Sequence, residues 1–392
     1  MFIDLTPDQH QLRIKVRDYF NDLMAGERRE RMRGAEGGQE YRDLLKTMGR
    51  DGWLALGWPK EFGGQGYGPT EQLIFFEEAL IAGAPLPFVT INTVGPTLMV
   101  HGTEEQKKKY LPGIASGDIV FAIGYSEPGA GTDLATLKTT AQVHDDKFVV
   151  NGNKLWTSGS EAADYIWLAA RTDPDLPRHK GISIIILDTK TPGFSHTVIK
   201  TLSNPTAATY YDNVEVPRAN LVGQLHGGWK LITEQLNHER LGLGAYSDKV
   251  TAQFKRVLAW AKAPDENGQR AIELPWVQRS FAQCYSRLEA MRLINFRIAQ
   301  MLEDNNLGLD FVALASATKV YGSEGAIEIL KHLQEIVGAA GMVRTGSAAA
   351  RLQGEIEYET RAATTLTFGG GVNELQRELV AQFGLGMPRP GR

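Results

Sequence analysis

The chain has 392 residues, enough for two or three domains or for one large unit with an extensive core. With 42% hydrophobic residues, 22% charged residues and a formal net charge of −4, neither disorder nor nucleic-acid binding is expected. The single cysteine, Cys284, excludes an internal disulfide and fits a reducing cytoplasm, and its helical surroundings favour a packing role.

The N-terminal segment is predicted to begin a helix. Charges interrupt each apolar run in MFIDLTPDQHQLRIKVRDYF, so no signal peptide is predicted. Thr6 can cap the helix, Pro7 suits its first position, and Gln9 has the spacing of a capping box. No segment approaches the roughly 20 apolar residues that a membrane span requires. A soluble cytoplasmic protein with no membrane partner is expected.

The periodicity of apolar residues changes twice along the chain. Residues 1–117 have a helical pattern, residues 118–227 form short segments rich in Val, Ile, Tyr and Trp, and residues 228–392 return to a helical pattern. The predicted fold class is α+β. It comprises an N-terminal α-helical domain, a middle antiparallel β-barrel or sandwich and a C-terminal helical bundle.

Six motifs span nearly the whole chain: GWPKEFGGQG, GTEEQKKKYLPGIASGD, YSEPGAGTDLATLKTTA, VNGNKLWTSG, YDNVEVPRANLVG and NELQR. In this order they resemble the acyl-CoA dehydrogenase family. NHER, TFGGGVNE and GLGMPR further resemble bacterial members that act on steroid side-chain thioesters as heterotetramers of two paralogous chains. The resemblance implies FAD as cofactor, an acyl-CoA substrate, a trans-2-enoyl-CoA product and an electron-transferring flavoprotein as electron acceptor. No metal site is expected.

The glycine-rich turn in YSEPGAGTDLA is the first part of the predicted flavin site. Glycines such as Gly131 let backbone amides approach a ligand closely, although an ordinary turn uses the same residues. The resemblance implies that residues 123–132 line the isoalloxazine ring, with Tyr125 and Ser126 at its pyrimidine end. It also implies that Thr132 lies near the CoA moiety.

The LWTSG segment is the second part of that site. The resemblance implies that Trp156 covers the flavin ring, that Ser158 forms a hydrogen bond near N5, and that Thr157 belongs to the same cofactor-binding segment. The alternative for Trp156 is a half-buried aromatic side chain in a strand.

The closing motif lacks a carboxylate that the family reaction needs. The reaction removes an α proton and a β hydride, and the weakly acidic α proton requires a buried base and hydrogen bonds to the thioester oxygen. Gly370 occupies the position where most family members carry glutamate, and Val372 occupies that of a flavin-contacting threonine. Glycine keeps its backbone N–H, so Gly370 can still bind the thioester oxygen.

A minority of the family carries the base on the first long C-terminal helix, immediately before an arginine. Glu239 and Arg240 match those positions in LITEQLNHERLG. Glu234 competes, but five residues turn a helix by about 500°, which places the two side chains roughly 140° apart. The alternative for Glu239 is an ordinary surface ion pair. The resemblance places Asn237 and Arg240 near CoA or the base, and capping or solvation is their alternative.

In homotetrameric members of the family, two segments of one subunit contact the flavin of the neighbouring subunit, and both segments are altered in this chain. Where the family has R-x-x-F-G, the chain reads DENGQRAIELPWVQRS, and EIVGAAG replaces Q-x-x-G-G-x-G. A division of labour is therefore predicted. This chain supplies Glu239 and the flavin cradle, which comprises residues 123–132 and 155–159, and a paralogous chain supplies the contacts to the flavin diphosphate that come from the neighbouring subunit. Self-association into a homo-oligomer is the alternative.

The triplet Gly369, Gly370 and Gly371 removes side-chain volume beside the predicted acyl pocket. A bulky or polycyclic acyl group is therefore expected, although three glycines also describe a loop that is costly to order. Two rival functions remain. One is an acyl-CoA oxidase or flavin monooxygenase of the same fold, and the other is a non-catalytic stabilising subunit.

Overall fold

The computed structural model describes residues 4–34, 37–239 and 245–388, and for residues 236–239 and 245–247 it describes the backbone alone. Its N-terminal helices are α1 (Pro7–Leu23), α2 (Arg28–Met32), α3 (Gln39–Arg50), α4 (Pro69–Ala82), α5 (Gly95–His101) and α6 (Glu104–Ala115). Its strands are β1 (Phe121–Gly124), β2 (Thr140–Val143), β3 (Lys147–Leu155), β4 (Tyr165–Arg171), β5 (Ile182–Asp188), β6 (Phe194–Ile199), β7 (Thr206–Pro217) and β8 (Leu221–Val222). The remaining helices are α7 (Gly228–Glu239), α8 (Ala245–Lys262), α9 (Pro275–Glu303), α10 (Leu309–Val337), α11 (Glu355–Ala363) and α12 (Asn373–Leu379). This order confirms the predicted α+β fold class.

The described residues fall into two compact units, each discontinuous in sequence. The helical unit comprises the described residues of Met1–Arg31, Gly68–Ala84 and Arg240–Arg392, and the mixed unit those of Met32–Tyr67 and Pro85–Glu239. The division into domains at residues 117 and 227 stays a prediction.

The sheet of the mixed unit is mainly antiparallel. Within the described residues it has eight strands in the order β6-β7-β3-β2-β4-β5-β8, with β1 also pairing with β4. The β1–β4 and β2–β4 pairings are parallel, and the other pairings are antiparallel. Strands β4 and β5 are buried along nearly their whole length, so their sequences are continuous apolar runs rather than alternating ones.

The helical unit packs around its two longest helices, α9 and α10. Its core includes Val257, Cys284, Ile329 and Ile356 from successive helices, all fully buried. The burial of Cys284 in this core confirms its predicted packing role, and it raises the pKa of the thiol to about 11. None of the helices in the described ranges is long and apolar enough to cross a membrane.

Local capping follows the sequence. At the start of α1, Thr6 Oγ1 accepts a hydrogen bond from the Gln9 N–H at 3.3 Å. Gln9 Oε1 accepts one from the Thr6 N–H at 3.0 Å. The predicted capping box is therefore confirmed.

Candidate active site

The loop that follows β1 is closed by hydrogen bonds between its own residues, and it is open beside its two glycines. The Glu127 N–H donates to the Ala130 carbonyl at 2.9 Å, and the Ala130 N–H donates back to the Glu127 carbonyl at 3.1 Å. A Cβ added at Gly129 or Gly131 would meet no heavy atom within 4 Å. Protein packing therefore does not explain these glycines, and the open side of the loop can receive a ligand.

A buried ion pair that the sequence analysis missed lies beneath this loop. The Lys154 ammonium donates to the Tyr125 carbonyl at 3.0 Å and to Glu127 Oε1 at 2.8 Å. The backbone N–H groups of Lys138 and Thr139 donate to the same carboxylate at 2.6 and 2.8 Å. Lys154 is fully buried and Glu127 nearly so. The network ties the loop to β3.

Both members of the ion pair have shifted pKa values. Burial lowers the pKa of Lys154 to about 8, against the attraction of the Glu127 carboxylate. Burial also acts to raise the pKa of Glu127, but Lys154 and the two backbone donors outweigh it, so that pKa is lowered. The sequence did contain one sign that Lys154 is buried. Lys154 lies an even number of residues after Phe148 and Val150, which are buried, so its side chain is expected on the same face of β3.

The end of β3 carries the predicted ring-covering segment to the same loop. The Leu155 N–H donates to the Ser126 carbonyl at 2.8 Å. Trp156 follows in the left-handed backbone region, with a φ of 66°, and is 56% exposed. A non-glycine residue in this conformation stores strain, and an exposed indole leaves a large apolar surface uncovered. Trp156 lies one residue beyond the end of β3, and its predicted role of covering the flavin ring stays a prediction.

The two residues after Trp156 have different surroundings. Thr157 is buried, and its N–H donates to the Ala207 carbonyl at 2.9 Å. Ser158 is exposed, and its hydroxyl oxygen lies 2.8 Å from Thr206 Oγ1. Ser158 therefore presents a hydroxyl group at the surface of the cradle, whereas Thr157 holds the segment in the sheet.

Helix α7 is joined to the cradle by a directional chain of hydrogen bonds. Trp167 Nε1 donates to the Tyr125 hydroxyl oxygen at 3.2 Å, and the Tyr125 hydroxyl donates to Gln235 Oε1. Tyr125 thus accepts from the indole N–H, which can only donate, and its own hydroxyl donates to the amide oxygen of Gln235. Gln235 is 1% exposed, and within the described residues its Nε2 has no hydrogen-bond partner. An acceptor from a ligand, or from a side chain that is not described, would satisfy it.

The rival carboxylate on α7 already has partners. Glu234 Oε2 lies 2.7 Å from His101 Nε2, and its other oxygen lies 3.7 Å from Lys230 Nζ. The backbone of Glu239 lies on the last turn of α7, four residues after Gln235 and therefore on the same face of the helix. The side chains of Asn237 and Glu239, and all of Arg240, lie outside what the structure describes, so their predicted roles stay predictions.

The glycine triplet belongs to the helical unit. Gly370 and Gly371 have φ values of 69° and 98°, and Gly370 is exposed. Within the described part of the chain, the Gly370 N–H makes no hydrogen bond. A backbone donor without an acceptor is available to a ligand oxygen.

The residues of the mixed unit fit a planar aromatic cofactor. The uncovered Trp156 indole offers a stacking surface, the loop around Gly131 is open, and the Ser158 hydroxyl is accessible. Ser126 and Thr132 lie on the same loop, and the Thr132 side chain is exposed.

Comparison with known proteins agrees with this geometry. The chain matches the acyl-CoA dehydrogenase N-terminal domain over residues 6–118, the middle domain over 122–214 and the C-terminal domain over 226–385. Acyl-CoA dehydrogenase FadE26 of Mycobacterium tuberculosis (strain ATCC 25618 / H37Rv) is 48% identical over 401 residues, covering 100% of both chains. The solved Tcur3481-Tcur3483 steroid ACAD is 52% identical, with a TM-score of 0.94 and 100% coverage of both chains. The ChsE4-ChsE5 complex from Mycobacterium tuberculosis is 49% identical, with a TM-score of 0.92 and 100% coverage of both. The chain belongs to the acyl-CoA dehydrogenase family of flavoprotein oxidoreductases.

Proposed function

We propose that this chain is the catalytic subunit of an FAD-dependent acyl-CoA dehydrogenase, with Glu239 as its base. One observation carries the proposal. The hydrogen bond from Tyr125 to Gln235 joins the predicted flavin cradle to the helix on which Glu239 stands one turn further along. A base and a hydride acceptor must act on adjacent carbons of one substrate, so the elements that carry them must be held together.

In this proposal bound FAD would supply the hydride acceptor for the β carbon of the acyl-CoA. Tyr125, Ser126, Gly131 and Thr132 of the loop, with Trp156, Thr157 and Ser158, hold the cofactor. Glu239 takes the α proton, which leaves a double bond between the α and β carbons of a trans-2-enoyl-CoA. The N–H of Gly370 donates to the thioester oxygen and so stabilises the negative charge that develops there. Asn237 and Arg240 contact the CoA moiety.

The proposed substrate class is a bulky acyl-CoA thioester with a steroid side chain. By the resemblance, Gly370 leaves space where most family members carry a glutamate, and its two glycine neighbours add no side-chain volume. The similarity to a solved steroid ACAD supports the same class.

The proposed partner is a paralogous acyl-CoA dehydrogenase chain in a two-plus-two heterotetramer, with an electron-transferring flavoprotein as the acceptor of electrons. In a homotetramer, the corresponding segments of one subunit contact the flavin of its neighbour. The segments DENGQRAIELPWVQRS and EIVGAAG lack the family patterns that make those contacts. Similarity to the ChsE4-ChsE5 complex supports a heteromeric assembly.

Flavin content tests this assembly. We expect the chain purified alone to carry little or no FAD, and the chain co-purified with its paralogue to carry about one FAD per heterodimer. The reason is that, in this proposal, the contacts to the FAD diphosphate come from the second chain. The measurement is the absorbance ratio of flavin to protein after gel filtration. Full flavin occupancy in the lone chain would contradict the division of labour.

Substrate bulk is tested by anaerobic flavin bleaching in the co-purified complex. We expect steroid side-chain CoA thioesters to bleach the flavin faster than straight-chain thioesters of equal side-chain length, since the glycine triplet leaves room for rings. Rapid peroxide formation on admitting air would instead favour an oxidase or monooxygenase. No bleaching with any thioester would favour a non-catalytic stabilising subunit.

A further inference from the structure

The glycine loop before α12 depends on its two ends for its shape. Gly370 and Gly371 both have positive φ, and three consecutive glycines permit many backbone conformations. At the first end, the Gly369 N–H donates to the Thr365 carbonyl at 2.9 Å. The direction of the Gly370 N–H therefore also requires an anchor at the second end.

Asn373 provides that anchor. It is the first residue of α12, and it is 2% exposed. Its Oδ1 accepts a hydrogen bond from the Lys319 ammonium at 2.6 Å. Its Nδ2 donates to Ser323 Oγ at 3.0 Å and to Glu324 Oε1 at 2.9 Å. Both polar atoms of the amide are thus held by side chains of α10, which fixes the start of α12 beside the loop.

Burying the Lys319 ammonium beside Asn373 costs free energy. It is 2% exposed, and burial lowers its pKa to about 8, against the attraction of the Glu374 and Glu324 carboxylates. Glu324 is held in turn by Arg377 on α12, at 2.7 and 2.8 Å. A buried charge costs on the order of several kcal/mol, and well-packed apolar residues often replace such groups without loss of stability. The cluster is therefore poorly explained by stability alone.

We propose that Lys319 and Asn373 are positioning residues, which hold the glycine loop so that the Gly370 N–H points at the thioester oxygen of bound acyl-CoA. Neither residue touches the substrate. The inference rests on the proposed function, because that function assigns the thioester oxygen to Gly370. Within the described residues the Gly370 N–H makes no hydrogen bond, and it lies three residues before Asn373, whose side-chain amide is held at both polar atoms. A displacement of Asn373 would therefore move this donor.

The test uses the co-purified complex with bound 3-phenylacryloyl-CoA, a chromophoric 2-enoyl thioester. Hydrogen bonding at its carbonyl oxygen draws electron density along the conjugated system and shifts its absorption to longer wavelength. We expect Lys319→Met to keep the flavin, to lose most of this shift and to lower kcat by about 10- to 100-fold. That is less than the roughly 10²- to 10³-fold cost of removing an oxyanion donor outright. A full shift and an unchanged kcat would overturn the proposal.

Two further variants separate positioning from simple destabilisation. Arg17→Met in α1 removes the bidentate partner of the buried Glu78, at 2.7 and 2.9 Å, and so destabilises the same unit away from the loop. It is expected to leave the spectral shift intact. If Lys319→Met does not assemble, Lys319→Met/Asn373→Leu removes the charge and its principal partner together and is expected to lose the shift as well.

Glu239→Gln, measured alongside, distinguishes failure of the inference from failure of the proposed function. If Glu239→Gln keeps turnover, the proposed function fails. If it abolishes turnover while Lys319→Met keeps both the shift and kcat, only the positioning role is overturned.

Discussion

Replacing Glu239 by glutamine is expected to lower the turnover of the co-purified complex by about 10³-fold or more, which is about 4 kcal/mol in activation free energy. Glutamine has nearly the same shape, but its amide cannot accept the α proton at neutral pH. The measurement is the rate of anaerobic flavin bleaching at saturating thioester, with flavin content and substrate affinity determined on the same sample.

The matched control lies on the same helix. Glu234 is 40% exposed and interacts with His101 and Lys230, so Glu234→Gln removes a carboxylate without removing the base. Surface ion pairs contribute at most about 1 kcal/mol, and turnover is expected to change by less than about tenfold. The assignment is wrong if Glu234→Gln abolishes bleaching and Glu239→Gln does not.

Lys154→Met is expected to lower the free energy of unfolding by about 3–5 kcal/mol. The side chain is fully buried, and its ammonium donates to Glu127 Oε1 and to the Tyr125 carbonyl. The variant leaves a buried carboxylate without its counter-charge. Urea unfolding of the purified chain measures the change.

Lys147→Met provides a control on the same strand. Lys147 donates to Glu215 at 2.7 Å, but this pair is 35% and 62% exposed, so a much smaller loss of unfolding free energy than in Lys154→Met is expected. Equal losses of unfolding free energy in Lys154→Met and Lys147→Met would refute the importance of burial at Lys154.

The pH dependence of Lys154→Met follows from Glu127. In the native protein the lowered pKa of Glu127 contributes stability above its ordinary value of 4.5, and this is lost as the pH falls through the folded-state pKa. Without Lys154, burial raises that pKa instead, so folding then favours the protonated acid. On the acid side, the difference in unfolding free energy should shrink as the pH falls from neutral towards pH 4.5 and below. A difference that grows in acid would contradict this account.

The fold class could be predicted because it depends on local periodicity. Helical spacing in the first and last parts of the chain, and short β-branched segments between them, correctly predicted the order of helices and strands. The two parallel pairings of β4 were not predicted, because strand direction depends on which segments meet in the sheet.

The candidate site was predicted in outline only. The motifs led to Tyr125 and Trp156, and the structure places their segments side by side through the Leu155–Ser126 hydrogen bond. Neither the motifs nor the helical spacing identified Gln235 as a partner of Tyr125, because the two residues are separated by 110 positions in the sequence.

The sequence by itself determined the local features of this protein. The capping box of Thr6 and Gln9 needs residues three apart, and the motifs that identify the family are continuous segments. Only the tertiary structure decided which polar groups are buried together. Lys154 meets Glu127 across 27 residues, and Gln235 meets Tyr125 across 110. Burial and pairing of such groups depend on packing among distant segments, which the spacing of residues along the chain does not encode.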